Sequence, residues 1–220
     1  MSLFAASTSF LAQPYPGLLK AFASSEPVPG GGSAAAMTGA LSASLASMVA
    51  GLTEHKPGYE EVGDQVRRLR VAGDSLRATL LGAADMDADA FEGVMRAMGL
   101  PKATDEEKAA RKEAMQAALR GATEAPLRTA NACVDAGDLA LRLLAIGNKN
   151  ASSDAACAVL LAAAGAEAAL LNVAINLGSL KDEAFKAQAT EQSQQLWRAA
   201  AQLREKLWPV AKAAGLDTPY

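Results

Sequence analysis

The sequence predicts an all-α protein: a single-domain bundle of about six long helices that dimerises. Three observations carry that expectation. Half of the 220 residues are apolar but only 5% are aromatic, so a core has to be built from Ala, Leu, Val and Met. Ala and Leu are strong helix formers, whereas the β-branched and aromatic residues that favour strands are sparse. Apolar residues recur at three- and four-residue spacing along segments separated by Pro and Gly. Two of these segments are almost uncharged, and one modest core would struggle to enclose both, which points to a homodimer.

The elements follow in order. A short helix is expected around Leu18 to Ala23, then a breaker, Glu26-Pro27-Val28-Pro29-Gly30-Gly31-Gly32. Ser33 is expected to open the second helix as its cap, the hydroxyl accepting from an orphan backbone N–H. Along that helix Met37, Leu41, Leu45, Met48 and Leu52 form an apolar stripe. Ala35, Gly39, Ala43, Ser47 and Gly51 form a ridge of small residues against which another helix backbone can lie closely. Pro57 and Gly58 end it. The third helix runs from Tyr59 to about Met98 with a stripe of Val62, Val66, Leu69, Leu76, Leu80, Phe91, Val94 and Met98.

Leu100-Pro101-Lys102 closes that helix, and Thr104 with Glu107 forms a capping box for the next. Pro126 is expected to kink or divide this fourth segment. Gly147 is expected to stop it as a left-handed cap. A polar loop, Gly147-Asn148-Lys149-Asn150, leads to Ser152, Ser153 and Asp154, which open a nearly uncharged helix reaching about Leu177. Lys181-Asp182-Glu183 starts the last helix, which carries Trp197 and Trp208. With no internal repeat or linker, residues 1–220 read as one domain.

Composition excludes several classes of function. A net charge of −3 gives no electrostatic reason to bind nucleic acid or an acidic membrane surface. Cys133 and Cys157 fit no metal-ligand or disulfide-rich pattern, which suits a reduced, cytoplasmic compartment. His55, the single histidine, rules out a His-rich metal centre and argues against a Ser-His-Asp triad. No metal site is expected. The N-terminus lacks the charged start and apolar run of a secretory signal. Gly32 to Leu52 is uncharged and long enough to span a bilayer, but it is mostly Ala, Ser, Gly and Thr, which gain little from lipid. A helix buried in a bundle is the expected outcome, with no membrane partner.

Asp87 is the most informative position. The stripe running from Leu80 to Phe91 and Val94 puts it on the core-facing side. Asp85 and Asp89 lie about 200° around the helix and face elsewhere. A carboxylate on a buried stripe loses hydration and needs either an ion-pair partner or a chemical purpose. Pro29 to Ser33 precedes a helix and lets backbone N–H groups approach a ligand, or simply forms a tight turn. It is no nucleotide loop, because no Gly-Lys-Ser/Thr follows. Asn172 and Asn176 share one face of an apolar helix, where they can read a heterocycle's edge or bond to each other or to neighbouring backbone. Asp154 sits in a first helical turn that favours an acidic residue in any case. By default Lys56 and Lys102 are solvent-facing charges, and His55 is a loop residue.

Taken in order, these residues resemble a known family. Pro29 to Ser33, Asp87-Ala88-Asp89-Ala90-Phe91 and Leu100-Pro101-Lys102 match it, as does Glu106 to Arg111. The match continues through Gly147-Asn148, Ser153-Asp154, Asn172-Val173 and Ile175-Asn176-Leu177. The chain resembles the cyclodeaminase domain of formiminotransferase-cyclodeaminase and the stand-alone methenyltetrahydrofolate cyclohydrolases, over roughly residues 20–210. Only about twenty residues precede that stretch, so no formiminotransferase domain is expected.

The resemblance implies an all-helical dimer with folate sites near the subunit interface and Asp87 as the catalytic carboxylate. Lys56 falls where the family carries a basic residue after the glycine-rich helix. Gly30, Gly31, Gly32, Ser33, Asn148, Asp154, Asn172 and Asn176 are then expected as substrate-binding residues, with Lys56 and Lys102 as candidates for the glutamate tail. His55-Lys56-Pro57-Gly58 departs from the family's usual basic run. The implied reaction is cyclodeamination of 5-formiminotetrahydrofolate or, alternatively, hydrolysis of 5,10-methenyltetrahydrofolate. No cofactor beyond the folate substrate is implied. A non-catalytic folate-binding module is the remaining alternative.

Overall fold

The computed structural model describes residues 14–216, which contain six α-helices and no strand. The N-terminal residues that bear on a secretory signal lie outside the described residues. α1 spans Tyr15–Phe22, α2 Gly31–Glu54, α3 Gly63–Met98, α4 Asp105–Ile146, α5 Ser152–Leu177 and α6 Glu183–Ala213. Five are long and α1 has eight residues. Short 3-10 turns at Glu60–Val62 and Lys149–Ala151 lead into α3 and α5.

α2 packs against α3, α4 and α5. Ser33 meets Asp87 at one end of the α2–α3 pair, while Arg67 and Arg70 reach Glu54 at the other, so those two helices are antiparallel. The Ser42–Ala158 and Asn148–Thr53 hydrogen bonds set α5 antiparallel to α2 as well. The ridge of small residues on α2 makes this crowding possible. A Cβ on Gly39 would overlap Cys133 Sγ of α4 and crowd the Leu80 methyls of α3. Gly165 of α5 lies so close that its own Cβ would stand 3.0 Å from both Ala35 O and Cys133 Sγ. Burial pushes the Cys133 thiol up to about 12. Ser47 Oγ, beneath Gly73, is the one buried side-chain polar atom without a hydrogen-bond partner among the described residues.

The larger residues of α2 lie on the opposite side. Leu41 is 53% exposed, and Met48 and Leu52 are exposed with it. On α5, Leu171 and Ile175 also face outward. Small residues inside and large ones outside invert the usual pattern, because only small residues fit between helices this closely spaced. Helices Gly31–Glu54 and Lys149–Leu177 are apolar and long enough to cross a membrane, but about half of each is buried within the bundle.

The Thr104–Glu107 capping box forms, with each side chain accepting from the other residue's backbone N–H. Asp182 caps α6 by accepting from Phe185 N–H. Two expectations need correction. Gly30, not Ser33, is the N-cap of α2, and the Ser33 hydroxyl reaches across to α3 instead. Gly147 is extended (φ −81°, ψ −176°) rather than left-handed. It is required by close approach, since a Cβ there would crowd Leu143 O and Thr53 Oγ1. Of the two outcomes expected at Pro126, division does not occur: α4 runs on for 42 residues, and the Ala122 carbonyl that the proline strands accepts from Asn176.

Candidate active site

Asp87 lies on α3 beneath the N-terminus of α2. Gly32 faces it so closely that an added Cβ would overlap the carboxylate. The Ser33 hydroxyl donates to Ala84 O at 2.9 Å and lies 3.1 Å from Asp87 Oδ2, so its one proton is shared between them. The Ser33 backbone N–H is also near enough to favour the charged form of the Asp87 carboxylate. No cation pairs with Asp87 among the described residues; every ion pair they form lies elsewhere. Burial pushes the Asp87 carboxyl above its ordinary value, against the opposing pull of the Ser33 hydroxyl and backbone N–H.

The carboxylate opens into a cavity of about 300 Å³ whose lining includes Gly30, Gly31, Gly32, Phe91, Asn172 and Asn176. This is the size range of small-molecule sites. Asn172 Nδ2 donates to Ala168 O at 2.9 Å, and Asn176 Nδ2 donates to Ala122 O of α4 at 2.6 Å. Both amides bond to backbone, one of the two outcomes expected for this pair, and both also line the cavity. The arrangement offers one proton-exchanging carboxylate, with amide groups to orient a flat polar ring above it.

A second cavity of about 450 Å³ shares Val94 with the first. Lys102, Lys108, Arg111, Lys112 and Lys181 line it, and no carboxylate does among the described residues. Arg111 donates twice to Met98 O at the end of α3, and Lys108 pairs with Asp105. Of this set only Lys102 was expected. A signal for three of the others was present: Lys108, Arg111 and Lys112 are spaced three and four residues apart, which puts them on one face of α4.

Lys56, Asn148 and Asp154 do not join the site in this chain. They cluster at the far end of α2, about 36 Å away at 1.5 Å per residue over its 24 residues. There Asn148 ties the α4–α5 connection to α2, donating from its backbone to Thr53 Oγ1 and from its side chain to Leu52 O. Lys56 Nζ donates to Asn148 Oδ1 and lies over the Tyr59 ring. Asp154 is half-buried in the first turn of α5. The antiparallel pairing of α2 and α5 separates these residues from Asp87. Among the described residues no group of three His, Cys, Asp or Glu side chains comes together as a metal site.

Residues 14–195 match the family described as formiminotransferase-cyclodeaminase. The chain is 44% identical over 195 residues to the methenyltetrahydrofolate cyclohydrolase of Methylorubrum extorquens, covering 89% of this chain and 94% of that protein. It is 36% identical over 192 residues to the formimidoyltransferase-cyclodeaminase of Sus scrofa, covering 87% of this chain and 36% of that protein. It thus spans only about a third of the latter's length. The crystal structure of formiminotetrahydrofolate cyclodeaminase from Thermotoga maritima superposes with a TM-score of 0.83 at 28% identity, covering 94% of this chain and 99% of that one.

The Asp87 environment predicts a pH-dependent stability. A carboxyl whose folded pKa is raised favours the folded state while protonated, and that advantage is lost as pH rises through the interval up to the folded value. Asp87→Asn should therefore be at least as stable as wild type at neutral pH, with its relative advantage shrinking as pH falls through the carboxylate range. Urea unfolding at several pH values measures the difference. A loss of about 3–5 kcal/mol at neutral pH would instead mark Asp87 as half of a buried ion pair.

Proposed function

Because the chain belongs to the formiminotransferase-cyclodeaminase family, we propose that it is a folate one-carbon enzyme with Asp87 as its general acid/base. It acts on the carbon held between N5 and N10 of tetrahydrofolate. The observation that carries this reading is a carboxylate without a cation partner among the described residues, opening into a cavity faced by two amides.

In the hydrolytic direction, water adds to the bridging carbon of 5,10-methenyltetrahydrofolate while Asp87 takes its proton. The tetrahedral adduct then breaks its bond to N5, Asp87 returns a proton to that nitrogen, and 10-formyltetrahydrofolate leaves with net release of one proton. In cyclodeamination, N10 attacks the formimino carbon of 5-formiminotetrahydrofolate, whose formimino nitrogen is protonated as an amidinium. Asp87 carries the N10 proton to the departing nitrogen, which leaves as ammonia. One carboxylate with a raised pKa serves both. The bridging carbon is already an activated electrophile, so neither scheme calls on a metal or a further cofactor.

Hydrolysis has the support of 44% identity along nearly the whole of a cyclohydrolase. Cyclodeamination has the support of the Thermotoga maritima structure. The pterin ring lies against Asn172 and Asn176, near the glycines at the start of α2. The glutamate tail runs past Val94 into the basic cavity, where Lys102 has Lys112 and Lys181 as neighbours. Lys56 has no part in this arrangement within one chain. A second copy of the chain covers the exposed apolar sides of α2 and α5, where Leu41, Met48, Leu52, Leu171 and Ile175 lie.

The reaction is tested by offering purified protein, with a chelator present, each of the two folates and following the methenyl chromophore. Its disappearance marks hydrolysis, and its appearance from the formimino substrate marks cyclodeamination. Asp87→Asn should cut turnover by roughly 100-fold or more while retaining binding of a folate analogue. Full activity in that variant, or activity that returns only with added metal, would overturn the scheme.

For the tail, Lys102→Ala with Lys112→Ala should raise KM for a triglutamyl substrate by about tenfold and leave kcat alone. Two exposed ion pairs worth up to about 1 kcal/mol each account for an effect of that size. An unchanged KM would place the tail elsewhere. Sedimentation equilibrium at micromolar concentration should give twice the chain mass of 22.5 kDa, and a monomer there would remove the dimer.

A further inference from the structure

We propose that Pro126 is a positioning residue, which fixes Asn176 so that the cavity meets its ligand with a hydrogen-bond acceptor at that point. The proposal rests on reading the cavity as the folate site. Pro126 lies in the interior of α4 and has no N–H to give to the carbonyl one turn earlier, that of Ala122. A proline ring in a helix interior also crowds the carbonyl four residues earlier. A stranded buried carbonyl is costly unless another donor reaches it. That donor comes from a different helix: Asn176 Nδ2 of α5 lies 2.6 Å from Ala122 O, and both residues line the cavity with Asp87.

The consequence is a choice of polarity. A free carboxamide swivels and offers either its nitrogen or its oxygen. With one N–H of Nδ2 fastened to Ala122 O, the Asn176 amide plane is fixed, and Oδ1 is held as an acceptor at a defined point beside the remaining N–H. Asn172, one turn earlier, is fastened through its own Nδ2 to Ala168 O. Two acceptor oxygens a helical turn apart are then set beside a cavity whose other polar side chain, among the described residues, is Asp87. The ligand edge they suit carries N–H donors, as do the ring lactam N–H and the amino group of a reduced pterin. In an unbroken α4, Ala122 O would be held by the helix and the Asn176 amide would be free to turn.

Pro126→Ala restores the missing N–H and lets it compete for Ala122 O. The expected result is a KM for 5,10-methenyltetrahydrofolate raised by about tenfold, the scale of one well-made hydrogen bond, with kcat within about threefold. Thermal melting should be unchanged or higher, because a helix breaker has been removed. Asn176→Ala should raise KM similarly, and the double variant should be no worse than the single ones, since both act through one contact. A wild-type KM in Pro126→Ala, or effects that multiply, would overturn the proposal.

Asn176→Asp covers the case in which Pro126→Ala fails to fold. It keeps an acceptor but cannot donate to Ala122 O, so its KM should also rise, and a wild-type KM would again count against the proposal. If the wild-type protein neither binds nor converts either folate, the functional reading has failed independently. Solvent exchange of the Asn176 side-chain amide in ¹⁵N-labelled protein then decides Pro126's part without a ligand. Exchange slow in wild type and fast in Pro126→Ala supports the anchor; equal rates overturn it.

Discussion

The close seating of α2 against three other helices is the constraint from which most of this architecture follows. Helices approach this nearly only where side chains are almost absent, and α2 supplies Gly32, Ala35, Gly39 and Ala43 along the contacts. Dispersion between closely packed atoms replaces the large apolar side chains of an ordinary core. The same geometry decides where Asp87 sits. Its carboxylate occupies the space that a side chain on Gly32 would fill, so the proximity that packs the helices also brings a titratable group against a helix N-terminus.

That placement balances two opposed effects. Removing the Asp87 carboxylate from water penalises its charge, while the Ser33 hydroxyl and backbone N–H favour it. Burial is the larger effect, and the group is held where it can both take and return a proton. A nearby Arg or Lys would have pinned it as a permanent anion. The cations are gathered instead in the neighbouring cavity, around Lys102 and Lys112, beyond Val94. Proton exchange and attraction of anions are thereby kept apart, though adjacent.

Much of this was legible in the chain. The stripe from Leu80 through Phe91 singled out Asp87 over Asp85 and Asp89, because helical periodicity fixes which side a residue faces. The Thr104–Glu107 box and the Asp182 start were legible for a similar reason: local chemistry determines them. What failed depends on partners distant in sequence. Ser33 reads as a cap until Ala84 and Asp87 compete for its hydroxyl. Pro126 reads as a break until Asn176 satisfies Ala122. Lys56, Asn148 and Asp154 share motifs with the site residues, yet nothing local says that α5 runs antiparallel to α2 and carries them to the far end. The stripe of Leu41, Met48 and Leu52 was legible as apolar but not as outward-facing, since that depends on which neighbours crowd the opposite side.

The thiol of Cys133 has a practical consequence. It lies at the junction of α2, α4 and α5, against Gly39 and Gly165, with its proton held up to about 12. Neither an alkylating reagent nor an oxidant can reach it while those helices stay together, and at neutral pH it has almost no thiolate to offer. Cys157, by contrast, is exposed. The two cysteines thus form a natural clock: the fast one reports reagent access, and the slow one ticks only when the helices around Gly39 and Gly165 part. The rate of the slow modification measures how often the bundle opens, from within the fold and without an added label.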